Sequence, residues 1–291
     1  MFSRKKSYSV SQYQSIAKSL IKRLDLETDI VALRFIKDVS EIPDQFIRPL
    51  KDLNRKMTIC MAMTDARREG KHIAITADDT PCVPGAVIHG WTKGVSMLAL
   101  LKSQEENEWV KNKWSMNRGM LKRYKLGGLA AHYPFNKLLG HKGALVSPLS
   151  KTPLIPDTCL IYGYPEQIMH VSHSLSFEGK YVPRAILAGH GESCYVGGLI
   201  PLKSGMPNFV LLGMGDRAIQ CVEKYEVAMG MPAALTFYTD ENLFKSSGAV
   251  SAIVQKRTGP GIHDQEDFRS RSICAVGCKQ AALEVCCVKG S

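Results

Sequence analysis

The sequence predicts an α/β fold, with a mixed α+β arrangement as the alternative, built on a pseudo-duplicated core. Three observations predict it. Short apolar segments of strand character alternate with segments of helical periodicity. The order strand, helix, Glu-Gly-Lys, strand, polar loop, Cys-x-x-Gly, apolar segment occurs twice. The two cysteine segments, CVPGAVI at 82–88 and CYVGGLI at 194–200, share their small and aliphatic positions. They follow the glutamate of Glu-Gly-Lys by 13 residues in one half (Glu69 to Cys82) and by 16 in the other (Glu178 to Cys194).

Residues 1–28 form an N-terminal helix: Tyr13, Ile16, Ala17, Leu20, Ile21 and Leu24 share one stripe, and serines precede it as caps. The first half of the core spans 29–102. DIVALRFI is a strand, CMAMTDARREGK a helix ending near Gly70, and HIAITA a strand that delivers the chain to DDTPC. A helix then starts at AVIHGW, after Pro84 and Gly85. Residues 103–150 are a basic insertion or connector. The second half spans 151–256, with DTCLIYGY a strand, PEQIMHVSHSLSFEGK a helix and AILAG a strand, followed by HGESC. Beyond Cys194, NFVLL and YEVAMGMP form a β-hairpin across the glycine turn GMGDR. Residues 257–291 are a cysteine-bearing, largely helical tail.

Of the 291 residues, 45% are hydrophobic and 22% charged, a globular balance. No apolar run approaches the roughly 18 residues that span a bilayer, so no membrane span is expected. The start MFSRKKSYSVSQYQ is basic and then polar, without the apolar region of a secretory signal, and a cytoplasmic location is expected. The net charge is +11, with Lys and Arg interleaved with Trp109, Trp114 and Tyr124. Such a stretch fits a solvated helix face over buried tryptophans, or an anionic partner. No nucleic-acid motif accompanies it, so nucleic acid is not expected, and a basic interaction subunit of a larger complex is the corresponding alternative.

Nine cysteines in a chain read as intracellular call for burial, catalysis or metal binding rather than a disulfide framework. The ordinary role of each is that of a small buried apolar residue. Cys82 and Cys194 stand apart because each leaves a polar loop and is followed by glycines, Gly85 and Gly197, before an apolar segment. A sulfur there meets the free N–H groups and dipole of a helix start, which favour thiolate, while glycine lets the backbone approach. Cys60 occurs in one half only, where the other half has Ile168. Three thiolates suit a [4Fe–4S] cluster with one non-cysteine or open iron, or a zinc ion with a fourth ligand; core packing without metal is the remaining option. His190 is a candidate fourth ligand or proton donor, and His89 holds the matching place after Cys82. Asp216 and Arg217 form either a salt-bridged turn or a pair in which Asp216 orients Arg217 toward an anionic substrate. GMGDRA fits Gly-x-Gly-x-x-Ala, with Asp240 downstream, but lacks the amphipathic helix a dinucleotide site needs. Cys274, Cys278, Cys286 and Cys287 in the tail are a rival metal set or a buried subunit contact in an oligomer.

The segments CMAMTDARREGKHIAITADDTPCVPGAVIHGW, ESCYVGGLIP and GMGDRAIQCVEKYEVAMGMP together resemble the ArCR family, prokaryotic proteins grouped as a domain of unknown function. The resemblance covers about 29–235. It rests on Cys60, Cys82, Gly85, Ala86, Cys194, Gly215, Asp216, Arg217, Glu226 and Pro232, and departs in the middle insertion and the tail. It implies no established activity and supports the choice of residues. The expectation is an iron–sulfur protein of anaerobic reductive metabolism, an oxidoreductase or electron-transfer partner that meets a small anionic substrate or a redox partner protein. A metal-free binding module for an anionic small molecule is the alternative.

Overall fold

The computed structural model describes residues 7–91, 140–185, 192–219 and 221–245. The 109–125 stretch, His190, most of AILAG and the four tail cysteines lie outside the described residues.

Helix α1, Val10–Leu24, starts as its sequence dictates. The Ser9 hydroxyl accepts the Gln12 N–H at 3.3 Å, and the Gln12 side chain accepts the Ser9 N–H at 2.8 Å. Tyr13, Ala17, Leu20 and Leu24 are buried. There follow β1 (Val31–Ile36), α2 (Pro49–Leu53), α3 (Ile59–Glu69), β2 (Ile73–Thr76), α4 (Val83–Ile88) and β3 (Gly143–Pro148). The second half holds β4 (Thr158–Gly163), α5 (Pro165–Ser176), a π-helix (Glu192–Leu199), α6 (Ile200–Ser204), β5 (Asn208–Val210), α7 (Met214–Ala218), β6 (Val227–Pro232) and α8 (Leu235–Asn242). Helix α3 begins where the Thr58 hydroxyl accepts the Met61 N–H and stops at Gly70, whose φ of 74° is left-handed.

The strands make one sheet in the order β2-β3-β1-β4-β6-β5, and every neighbouring pair is antiparallel. The fold is therefore the α+β alternative. Its connectivity repeats: a central strand (β1 or β4), a helix (α3 or α5), an edge strand (β2 or β5), then a strand inserted between them (β3 or β6). The two cysteine turns are not equivalent within that repeat. Cys82 follows its edge strand, whereas Cys194 precedes its own, and α7 takes the place that α4 has in the first half. Strand β3 lies inside the stretch read as a connector. GALVSP is weak in strand formers, and its place between β1 and β2 comes from tertiary pairing. Strands β5 and β6 pair antiparallel as expected, but GMGDR is no tight turn: Gly213 caps helix α7, which lies in the connection between them.

Alternation along the strands splits the core into two layers. Leu33 of β1, Leu160 and Tyr162 of β4, Val146 of β3 and Ala228 of β6 face α3 and the π-helix. Ala32, Cys159, Ile161, Met229 and Met231 face α1, α5 and α8. Asp240 of α8 bonds Ser19 and Arg23 of α1 at 2.7 and 2.9 Å, so it is a tie between helices and no ribose ligand.

Candidate functional site

Four elements on the α3 side of the sheet bring their ends together. Cys60 is the second residue of α3. The Thr64 hydroxyl lies 3.0 Å from both the Cys60 and the Cys221 carbonyl, binding α3 to the loop after α7. Cys82 is delivered by a loop that Asp79 organises. That buried carboxylate accepts the Thr76 N–H and hydroxyl at 3.1 and 2.6 Å and the Leu50 N–H at 3.3 Å, and lies 3.5 Å from Arg48. Helix α4 starts directly after Cys82, and the Gly85 N–H donates to the Cys82 sulfur at 3.3 Å. A Cβ on Gly85 would stand 3.0 Å from that sulfur, so glycine is what allows the approach.

Cys194 lies within the π-helix, a local widening often found at functional sites. The π-helix presses on β6 so closely that a Cβ on Gly230 would come 2.1 Å from the Gly197 carbonyl oxygen. Gly197 therefore serves helix–sheet packing, with Leu160 and Val210 at its other sides, and does not line the site. Asp216, in α7, is buried; it accepts the Ser193 hydroxyl at 2.9 Å and the Gly213 N–H at 3.3 Å.

Cys60, Cys82 and Cys194 thus line one cavity of about 250 Å³, with Gly85, Asp216 and Glu192 and an outer wall of Thr58, Pro81, Gly215 and Ile219. The cysteines come from segments 22 and 112 residues apart in the chain, yet occupy a common wall. The Cys60 thiol interacts with Cys194 and with the Asp216 carboxylate. The Cys194 thiol, burial and the Asp216 charge together hold Cys60 well above its ordinary pKa. Burial, then Cys194 and Asp216, push Cys82 up to about 11, although the Gly85 N–H pulls the other way. The helix start at Cys82 is therefore outweighed by desolvation, and both thiols are protonated at neutral pH unless a bound cation displaces the proton.

Arg217 does not face this cavity. Its guanidinium donates to the carbonyls of Leu212, Glu223, Lys224 and Glu226 at 2.9–3.2 Å, so it latches the loop behind α7. Asp216 turns to Ser193 instead of to Arg217. His89 is also elsewhere: at the far end of α4 its Nδ1 meets His141 Nε2 at 3.1 Å, in a box with Phe35 and Trp91.

Sequence reasoning missed Glu192, Ser193 and Arg67. Glu192 and Ser193 stand directly before Cys194, and their position in the loop leading to it was the available signal. Arg67 is buried in α3, pairs bidentately with Glu226 at 2.6 and 2.8 Å, donates to the Cys221 carbonyl at 2.9 Å and sits 4.4 Å from the Tyr162 ring centroid. The same loop is thus held by two arginines. A larger open groove of about 610 Å³, lined by Glu27, Arg68, Tyr164, Glu223 and Tyr225 among others, contains no thiol.

The family profile described as DUF169, uncharacterised ArCR, matches residues 19–241. The chain belongs to the ArCR family. The matched residues include all three cavity cysteines and Asp216. Neither a curated protein nor a solved structure matches the chain. Among the described residues no helix is long and apolar enough to cross a membrane.

Proposed function

We propose that this ArCR protein holds an iron–sulfur cluster on Cys60, Cys82 and Cys194 and acts in electron transfer or reduction. The observation that carries the reading is that three thiols from distant segments line one cavity. At about 250 Å³ the cavity falls below the roughly 300–1,000 Å³ of organic-ligand sites, which favours a compact inorganic group over a nucleotide. Among the described residues no three Cys, His, Asp or Glu side chains are grouped to hold a single ion. Zinc needs all its donors about 2.0–2.3 Å from one centre. A cluster takes each thiolate at a separate iron, so it does not require the three sulfurs to share one centre. Cys60 and Cys194 would part to reach two irons. The Gly85 N–H aimed at Cys82 is the kind of sulfur hydrogen bond that tunes a cluster's potential.

When bound, such a cluster supplies one-electron chemistry and, with three cysteines, an iron open to a further ligand. The chain's own residues set the surroundings. The Asp216 charge acts on the cavity thiols, and negative charge there favours the oxidised cluster and a low potential. The anion-binding alternative draws no support from the lining, which holds two acids and no Lys or Arg, and Arg217 is occupied elsewhere. Protein purified without oxygen is expected to absorb in the visible range. Cys82→Ser and Cys194→Ser are expected to reduce that absorption at least about tenfold. Unchanged absorption in both variants would remove the reading.

A further inference from the structure

The cavity has a rim and a floor of different character. At the rim stand Pro81, Gly215 and Ile219, all exposed and all uncharged. A Cβ added at Gly215 would meet no described atom within 4 Å, so this glycine faces open space at the entrance. The floor holds Asp216, which is 4% exposed, beside the thiols. The Ser193 hydroxyl and the Gly213 N–H donate to its carboxylate at 2.9 and 3.3 Å, and both are neutral donors that leave its charge in place. No Lys, Arg or His stands among the described lining residues to balance it, and the adjacent Arg217 bonds loop carbonyls instead. A buried charge repels a like charge more strongly than an exposed one does, because less water screens it.

We propose that this cavity admits small uncharged molecules and refuses anions, with Asp216 as the residue that discriminates and Gly215 and Ile219 framing the way in. A molecule of a few heavy atoms passes a rim that carries no charge, whereas an anion meets a buried carboxylate on the floor. The volume of about 250 Å³ sets the size limit, below that of ordinary organic-ligand sites. The selection needs only the rim and the floor, and it holds for the cluster-free chain. Its consequence for function, that the substrate reaching an open iron is small and uncharged, rests on the cluster reading above.

The test uses the full chain, stripped of iron by chelation, reduced and kept without oxygen. It is treated at neutral pH with equal amounts of iodoacetamide and iodoacetate, thiol reagents of similar size that differ in charge. Labelling of the Cys60 and Cys82 peptides is read by mass spectrometry, and the same chain in urea gives the intrinsic preference of each cysteine. In the folded chain the preference for iodoacetamide is expected to exceed the urea value by at least about tenfold. A ratio equal to that in urea, or a preference for iodoacetate, overturns the proposal. Asp216→Asn is expected to lower the preference at least about threefold. A change in thiol reactivity alone moves both rates and leaves the ratio, so an unchanged ratio in that variant overturns the role of Asp216. Gly215→Leu, whose side chain enters open space, should slow both reagents, and unaltered rates overturn the entrance. In the cluster-loaded parent, methyl isocyanide is expected to alter the electron paramagnetic resonance spectrum of the reduced protein and azide to leave it unchanged. A response to azide, or to neither, overturns the substrate class. A parent that takes up no iron removes the cluster reading, while the alkylation ratios still decide the selection.

Discussion

The two faces of the sheet carry cysteines in opposite settings. On one face Cys159 of β4 is fully buried among apolar residues of α1 and α5, and burial raises its thiol far above the ordinary value. One residue further along β4, the side chain of Leu160 turns to the other face, where Cys60, Cys82 and Cys194 share a cavity with two carboxylates. The difference lies in what covers each face. Regular helices with continuous apolar stripes close the first. The second is closed by α3, two short helices and a π-helix, whose ends leave polar groups and a gap between them. A cysteine under continuous helices packs, whereas cysteines at converging element ends have room and partners for chemistry.

The comparison can be broken first at Arg67. Its bidentate pair with Glu226 is buried on the cavity face, and removing one member of such a pair costs about 3–5 kcal/mol. Arg67→Ala is expected to lower stability by that amount in urea unfolding. Because the pair holds the loop after α7, the same variant should expose Cys60 to alkylation faster while Cys159 stays protected. Equal exposure of the two would mean that the faces are not independently held.

Acid tests the same face by a different route. Burial holds His141 down at about 4, and burial together with His141 holds His89 well below its ordinary value. The folded state therefore prefers both neutral. Stability is full above the unfolded value near pH 6.5 and falls as pH drops toward about 4, by up to about 3 kcal/mol for His141. His141→Phe should flatten that limb of a stability–pH curve. An unchanged slope would show that the histidine box is not what titrates.

A smaller effect is expected at Gly230, where an added Cβ would meet the π-helix backbone at 2.1 Å. Gly230→Ala should cost about 1–3 kcal/mol by overpacking and reduce iron retention, because Cys194 sits on the displaced element. The smallest lies on the packing face. Ser9→Ala removes the cap of α1 and should cost about 1 kcal/mol without changing iron content. Loss of iron in that variant would couple the two faces.

Much of this arrangement is legible in the sequence, though in part for a reason the fold does not bear out. The strands at 31–36 and 158–163, and helices α1, α3 and α5, follow from periodicity and capping. The cysteines were singled out as matching corners of a repeat. They do meet, but Cys82 and Cys194 stand at different points of the repeated connectivity. Strand β3 was unreadable because GALVSP acquires its register from β1 and β2. Neither sequence option for Arg217, a salt bridge to Asp216 or an anion contact, describes its bonds, because the backbone carbonyls it binds belong to a loop whose path no local pattern gives. The π-helix has no sequence signature of its own. Gly230 inside β6 was its one clue, since an isolated glycine in a strand marks close backbone approach.

The most direct measurement is the iron and acid-labile sulfide content of the full chain purified without oxygen, alongside Cys82→Ser and Cys159→Ser. The account predicts about four iron and four sulfide per chain in the parent, the same in Cys159→Ser, and at least about a tenfold loss in Cys82→Ser. A parent free of iron and sulfide, or a Cys159→Ser variant that loses them as fully as Cys82→Ser, would contradict it.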